Sequence, residues 1–494
     1  MIKDKMKSWK EIISEAREGR QVRSDSRLVG PGDIFVALPG TRVHGNSFIP
    51  EALDRGAAFV VARGEPAGQD RVIHHDDPAL ALGDLARAHF GTDRLNLKVV
   101  GVTGTNGKTT TSYILEHLFT CSGYKTGVLG TVNYRWPGTT LKAGTTTPDC
   151  LELHRMLALM QARGVQVVCL EASSHALDQK RLAGIDIHVA VFTNLSRDHL
   201  DYHNDMQDYF RAKKKLFSPS NPQSFIGNVI NMDDPYGRAL ARKAPRGLGY
   251  GLQREFSPGL QGHLAQSTAI GLELECSYQD RSWTISCSLP GNHNALNLLA
   301  AQGAGLCLGL EPKHFECLSE LGPIPGRMEK VPAPEGVNIY VDYAHTPDAL
   351  ENVCMALKDL SFNKLAVLFG CGGDRDRGKR PEMARAVAAH ADVIFLTSDN
   401  PRFEDPGSII RDILPGFKGH PCVHVQPDRR QAIKKAVSLL APGEALLVAG
   451  KGHEDYQEIR EVRQDFSDIE EIKRAVSDLQ RKAPKPCRTE AGCT

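Results

Sequence analysis

The sequence has almost no excess of charge of one sign: 60 Lys and Arg stand against 59 Asp and Glu, a formal charge of +1. No overall field draws the chain onto nucleic acid or an anionic membrane, so any basic site must be local. Long hydrophobic runs are also missing. The longest, Ala295 to Leu310, is shorter than a membrane span and contains Asn297 and Gln302. The opening residues, MIKDKMKSWKEII, are charged from the third position and lack the apolar core of a signal peptide, which predicts a cytoplasmic location. Twelve cysteines, from Cys121 to Cys493, make no Cys-x-x-Cys pair and no Cys/His cluster at metal spacing. A disulfide scaffold is thereby excluded, and buried free thiols are expected. Aromatics are scarce at 6%, whereas glycine is abundant at 46, a mix suited to α/β domains with many tight strand-to-helix turns.

A length of 494 residues, at about 150 per domain, suggests three domains. Residues 1–97 read as a small mixed α/β domain, with strand-like IFVAL and AAFVVA. From Leu97 onward KVVGV, VVCLE and VAVFTN are β-branched runs without alternation, as in strands buried on both faces of a parallel sheet. Residues 260–290 alternate (LELECSY, SWTISCSL) and predict a small antiparallel insertion in a central domain spanning 98–328. The four prolines of PIPGRMEKVPAPEGVNI read as a linker into a third domain, 329–494, where IYVDY, LAVLFG, VIFLTS and ALLVAG each precede a loop and a helical pattern. The tail from Arg481 reads as loose.

The sharpest motif follows KVVGV: Thr103-Gly-Thr-Asn-Gly-Lys-Thr-Thr-Thr111, then helical YILEHLF. Glycines let backbone N–H groups converge on phosphate, and the helix start adds its positive dipole end. Here Lys108 would neutralise phosphate and the Thr109 hydroxyl would hold Mg²⁺. The usual phosphate-loop spacing places glycine at 102, but Val102 stands there, which disfavours common GTPases and transport ATPases. Glu171, at the C-terminal end of VVCLE, is a second hard-oxygen donor suited to Mg²⁺. A further strand runs into NLSRDHLDYH, whose Asp198 and Asp201 read equally well as cap or turn residues.

TGTNGKTT is the form this loop takes in the Mur ligases and the related folylpolyglutamate synthases, and the chain resembles the Mur ligases along nearly its whole length. The resemblance implies a P-loop-type central domain and a Rossmann-like third domain. It also implies an ATP- and Mg²⁺-dependent amide ligase, which joins meso-diaminopimelate to UDP-MurNAc-L-Ala-D-Glu through an acyl phosphate. Gly104, Thr105, Asn106, Gly107, Lys108, Thr109 and Thr110 would hold the nucleotide phosphates, Asn292 and His293 the adenine side, and Arg327 and Asp342 would close over it. Metal ligands would be Thr109, Glu171, His199 and Lys213, the last as a carbamate. Ser26, Thr41, Arg42 and Val43 match the uridine-nucleotide site. Thr145, Thr146, Thr147, Ser173, Gln179 and Arg181 match residues around the muramoyl dipeptide. Arg375, Asp399, Asn400, Pro401, Arg402, Gly450 and Glu454 match the amino-acid site.

Arg402 can clamp the distal carboxylate of diaminopimelate, which lysine lacks, while Glu454 can pair with the ammonium. The charged loop GCGGDRDRGKRPEM, after a strand, reads as an anion-binding loop. Lysine-adding and folylpolyglutamate-synthase-like ligases are the alternatives, disfavoured by the full N-terminal domain and by Asp399-Asn400-Pro401-Arg402. A monomer is expected, with no nucleic-acid partner.

Overall fold

In the computed structural model, which describes residues 8–40, 44–64, 71–218, 225–244, 246–268 and 271–482, buried strands divide the chain into three α/β units. The first holds four short strands, Val22–Arg23, Ile34–Val36, Phe59–Ala62 and Val72–His74, paired in sequence order and all parallel. Segments of two to four residues carry no readable alternation, so strand direction here is a tertiary property. The helix Pro78–Phe90 covers the sheet. Asp77 starts it, accepting from the N–H groups of Ala79 and Leu80, and Gly91 stops it at φ 66°. Its Ala81, Leu82, Leu85 and Ala86 pack on Ile34, Val36 and Val61. Arg87 on the same helix docks the unit on the central one through Asp186 (3.1 Å) and the Gly184 carbonyl (3.0 Å).

The central unit is built on an eleven-stranded sheet in which an interior strand, Lys98–Thr103, lies between Val167–Glu171 and Val189–Phe192. Every residue of those two neighbours is buried, as the unbroken apolar runs require. The alternating stretch forms the expected antiparallel strands, Leu260–Thr268, Gly271–Tyr278 and Arg281–Cys287, and the first of them pairs parallel with Gly247–Gly251, so that they extend this sheet. The helices Lys108–Cys121 and Asn292–Cys307 share one face of the sheet through Ile114, Leu115, Leu118, Leu298 and Ala301. Gln302 is tolerated inside that apolar helix because it accepts from Trp283 Nε1 (2.7 Å) and donates to the Leu298 carbonyl (3.2 Å).

The third unit is built on a six-stranded sheet in the order Glu329–Val331, Asn338–Asp342, Ala445–Ala449, Leu365–Phe369, Val393–Leu396 and Val423–Val425, with Tyr456–Ile459 and Val462–Asp465 as a separate hairpin. Within the six-stranded sheet all pairings are parallel except the first. The proline-rich stretch is therefore more than a linker, since Glu329–Val331 forms the antiparallel edge strand. Pro332 and Pro334 follow it directly, where no ladder hydrogen bond is required of them. The helix Asp468–Lys482 carries the chain through Arg481, and the remainder of the expected tail, with Cys487 and Cys493, lies outside the described residues. Among the described residues no helix is long and apolar enough to cross a membrane.

The loop after Leu365–Phe369 is pinned by Arg380, which is 1% exposed and donates to Glu404 Oε1 (2.7 Å) and Asp412 Oδ2 (2.8 Å). That hydrogen bond, together with the backbone N–H of Asp374, brings the Glu404 carboxyl down from 4.5 to about 2, although burial opposes the shift. A carboxyl with a depressed folded-state pKa stabilises the fold above its unfolded pKa, and the contribution fades as pH falls towards the folded value. Glu404→Gln should therefore unfold at lower urea than the wild type at neutral pH, with the gap closing between pH 4.5 and about 2. A gap independent of pH across that window would refute the assignment.

Candidate functional site

Lys98–Thr103 delivers the chain into the glycine loop, and the shape of the loop is set by the neighbouring strand end. A Cβ on Gly104 would lie 1.8 Å from Thr193 Oγ1, so only glycine fits there. Thr105 N–H donates to the Asn194 carbonyl and Asn106 N–H to Asn194 Oδ1, both at 2.9 Å. Thr193 Oγ1 donates to the Asn106 carbonyl at 2.6 Å. Lys108 folds back, its ammonium donating to the carbonyls of Gly104 and Thr105 at 2.9 Å each. Lys213 Nζ meets the same Gly104 carbonyl at 2.8 Å and lies 4.6 Å above the Tyr209 ring. Burial lowers the pKa of both lysines, and the charge of Lys108 lowers that of Lys213 further.

Beside the loop, the buried Glu171 carboxylate accepts from Thr131 Oγ1 (2.7 Å), Thr131 N–H (3.1 Å) and Thr109 Oγ1 (3.1 Å). His199 adopts a left-handed backbone (φ 55°), with its ring edge-on to His175 at 4.8 Å. Burial holds the His199 imidazole far below its ordinary pKa, so the ring is neutral and able to act as a ligand. Carboxylate, hydroxyl and imidazole gathered at a phosphate loop are a donor set that fits a hard divalent cation.

The third unit closes over this centre. Arg327 Nη2 donates to Thr109 Oγ1 (3.1 Å), and its guanidinium lies 4.6 Å from the Tyr343 ring. Asp342 accepts from Met328 N–H and Ala344 N–H at 2.7 Å each, and burial raises its pKa. Asn106 Nδ2 reaches Asp348 at 2.7 Å. Asp198, far from being a simple turn residue, is buried and paired with Lys379 at 3.0 Å, with His345 at 3.8 Å. Arg197 pairs with Asp376 (2.9 Å) and Glu382 (3.0 Å). The charged loop that reads as an anion site thus spends Asp376, Lys379 and Arg380 on protein partners. Burial explains the difference, since ions removed from water must be paired. Arg375 is its one residue lining the central cavity, 3.7 Å from Asp201.

That cavity, about 1020 Å³, is bounded by all three sets of motifs. Thr105 to Thr110, His199, Lys213, Asn292, His293, Arg327 and Asp342 line one part. Thr145, Thr146, Thr147, Ser173 and Arg181 line another, and Arg375, Arg402 and Glu454 a third. Gly104, Glu171, Gln179, Asp399, Asn400, Pro401 and Gly450 do not line it. Gln179 instead accepts from Arg181 Nε (3.0 Å) and Nη2 (2.8 Å), holding that fork in place. Ser26 lies in the first unit, donating to Glu51 at 2.8 Å. Thr41, Arg42 and Val43 lie outside the described residues.

At the far end, Arg402 and Glu454 are less bare than the sequence suggests. Arg402 Nη1 donates to the Gly373 carbonyl (2.7 Å), and Glu458 lies 3.8 Å from Nε. Glu454 already has an ammonium, that of the fully buried Lys451 at 3.1 Å. Asn400 joins the two, accepting from Lys451 (3.0 Å) and donating to Glu454 (2.9 Å). A Cβ on Gly450 would lie 2.6 Å from Asp399 Oδ2, so this turn closes tightly on the preceding loop. Lys451, Lys379 and His345 are site residues that the sequence reading missed. Lys451 stands in a glycine-flanked turn indistinguishable from a solvated one.

A glycine phosphate loop in a parallel sheet, closed by a second parallel-sheet unit over one polar cavity, defines a nucleotide-type α/β protein of three domains. The family models bear this out along the chain: "Mur ligase family, catalytic domain" matches residues 20–90, "Mur ligase middle domain" 102–305, and "Mur ligase, glutamate ligase domain" 326–452. The chain belongs to the Mur ligase family. A Lawsonia intracellularis protein named UDP-N-acetylmuramoyl-L-alanyl-D-glutamate–2,6-diaminopimelate ligase is 49% identical over 88% of this chain and 91% of its own length. A protein of the same name from Thermosynechococcus vestitus is 42% identical over 89% of this chain and 90% of its own. A solved structure of a ligase of that name superposes with a TM-score of 0.67 at 36% identity, covering 93% of this chain and 95% of the other.

Removing one member of a buried ion pair costs about 3–5 kcal/mol because the other charge is left unpaired. Asp198→Ala should lower the unfolding free energy by about that much in urea titrations, while Lys379→Met with Asp198→Asn should recover most of it. A loss below about 1 kcal/mol in the single variant would show that the pair does not hold the third domain in place.

Proposed function

We propose that this chain is an ATP-dependent amide ligase, joining the amine of meso-diaminopimelate to the D-glutamate side-chain carboxylate of UDP-MurNAc-L-Ala-D-Glu in peptidoglycan precursor synthesis. The observation that carries this reading is the single cavity running from the phosphate loop to Arg402 and Glu454, in a chain whose relatives of high identity bear that enzyme's name. The γ-phosphoryl of ATP passes to the carboxylate, giving an acyl phosphate and ADP. The amine then attacks the acyl carbon, phosphate leaves with the bonding electrons, and the amine gives up a proton to solvent. No protein nucleophile is required.

Most of the catalysis is positioning and charge neutralisation. Lys108 exchanges its two loop carbonyls for phosphate oxygens, with the N–H groups of Gly107 to Thr110 completing the cradle. Thr109, Glu171, His199 and Lys213, the last as a carbamate, would hold Mg²⁺, which supplies neutralisation of phosphate charge when bound. The depressed pKa of buried Lys213 favours the free amine from which a carbamate forms. Asn292 and His293 take the adenine side. Arg327 and Asp342 seat the third domain over the nucleotide, keeping water from the acyl phosphate.

Thr145, Thr146, Thr147, Ser173 and the Gln179-braced Arg181 hold the dipeptide end, and Ser26, Thr41, Arg42 and Val43 the uridine nucleotide. Arg402 binds the distal carboxylate of diaminopimelate, with Arg375, Asp399, Asn400, Pro401, Gly450 and Glu454 shaping the rest. Lys451 keeps Glu454 oriented. A cytoplasmic monomer fits a reaction between nucleotide-linked and free amino-acid substrates.

Phosphate release from ATP and UDP-MurNAc-dipeptide should require meso-diaminopimelate and be near background with L-lysine; equal rates would sink the role given to Arg402. Arg402→Ala should raise KM for diaminopimelate about 10–100-fold. Lys108→Ala should lower kcat at least about 10²-fold, and near-normal turnover would exclude the scheme.

A further inference from the structure

The helix that begins at the phosphate loop ends on a side-chain cluster for which the ligase reaction has no use. His117 and Cys121 sit four residues apart on the last turn of Lys108–Cys121, and so share one helix face. Cys317, from the 3₁₀ helix Pro312–Glu320, faces them, although it is 200 residues away from His117 in the chain. One ligand atom from each residue lies within 4.8 Å of the other two, and Cys121 Sγ is 3.6 Å from His117 Nε2. Donors on a tetrahedral zinc ion are about 3.5–3.8 Å apart, given metal–sulfur and metal–nitrogen bonds of roughly 2.3 and 2.0 Å. Cys121 is exposed while Cys317 and His117 are half-buried, so an ion can reach them. At about 1.5 Å per residue the cluster stands roughly 14–20 Å along the helix from Lys108, which separates it from the ligase centre. The other described thiols are mostly buried, as free apolar-core cysteines should be.

We propose that His117, Cys121 and Cys317 form a three-ligand site for a soft divalent cation of the zinc class, with solvent as the fourth ligand. Two thiolates and an imidazole are the donor set that such ions prefer over hard ones, and an open fourth position suits a partly exposed site. On binding, each thiol releases its proton to solvent, so the two thiolates cancel the charge of the ion and nothing is oxidised or reduced. His117 binds as the Nδ1–H tautomer, giving up its 2.8 Å hydrogen bond to the Cys317 carbonyl. An occupied site ties the end of the phosphate-loop helix to the segment that leads, through Leu321, to Arg327.

The test uses the full chain, reduced and washed with chelator, titrated with Co²⁺ and then with Zn²⁺. We expect thiolate-to-cobalt charge-transfer absorption together with the visible bands of tetrahedral cobalt, saturating at one ion per chain and abolished by Zn²⁺. Cys121→Ser and Cys317→Ser should each weaken the charge-transfer band, and the double variant should lose it; His117→Gln should weaken binding. Unchanged circular dichroism would show that the variants are folded. Absence of the band in the wild type overturns the proposal. So does a band of full strength in the double variant, or thiols that only pair as a disulfide in air while the reduced chain takes up no ion.

Discussion

The Asp198 carboxylate lies where the central and third domains meet, out of reach of bulk water, and its ionisation depends on groups from both. Burial alone would favour the neutral acid. The Lys379 ammonium, at hydrogen-bond distance, reverses that and holds the group far below the ordinary carboxylate range. The central domain thus carries a fixed anion that only the third domain's ammonium can balance at hydrogen-bond distance. Docking of the two is an electrostatic requirement as well as a matter of shape. Arg197 with Asp376, Asn106 with Asp348 and Arg327 with Thr109 are arranged around this point. They set how far the third domain stands from the phosphate loop.

Given that docking, the two larger sheets contribute to one cavity in the same way. Thr103, Glu171 and Phe192 end strands of the central sheet, and Asp342, Phe369, Leu396 and Ala449 end strands of the third. Site residues follow each of these ends or stand at them, as expected where open parallel sheets gather ligands at their carboxyl edges. The strands themselves are buried and interchangeable in character, whereas the loops differ in every residue that matters chemically.

What could be read in the sequence divides along the same line. The phosphate loop was legible because strand, glycines, lysine and helix are contiguous, and the unbroken apolar runs gave away the parallel sheets. Arg402 and Glu454 were found through the motifs around them. Their partners are not legible: Lys451 is close to Glu454 in sequence but Glu458 is far from Arg402, and only the fold brings these charges to bear. The Lys379–Asp198 pair spans 181 residues, and no local pattern announces such a match. The parallel order of the first sheet and the edge strand Glu329–Val331 escaped because elements of three residues have too little periodicity to show direction or even type. The charged loop after Leu365–Phe369 is only partly legible for a related reason. Composition shows how many charges are present but not which carboxylates the fold has assigned to them.

The retracted pose of Lys108 has a bearing on selectivity. In the loop as it stands, the ammonium is already solvated by two backbone dipoles. An incoming ligand must therefore replace neutral acceptors with something better. A monovalent anion gains little by that exchange once its own hydration is lost, whereas a polyphosphate brings several charged oxygens to the ammonium and the loop N–H groups together. Any anion bound there must outcompete two carbonyls held at 2.9 Å, a contest that favours density of charge over mere negative sign.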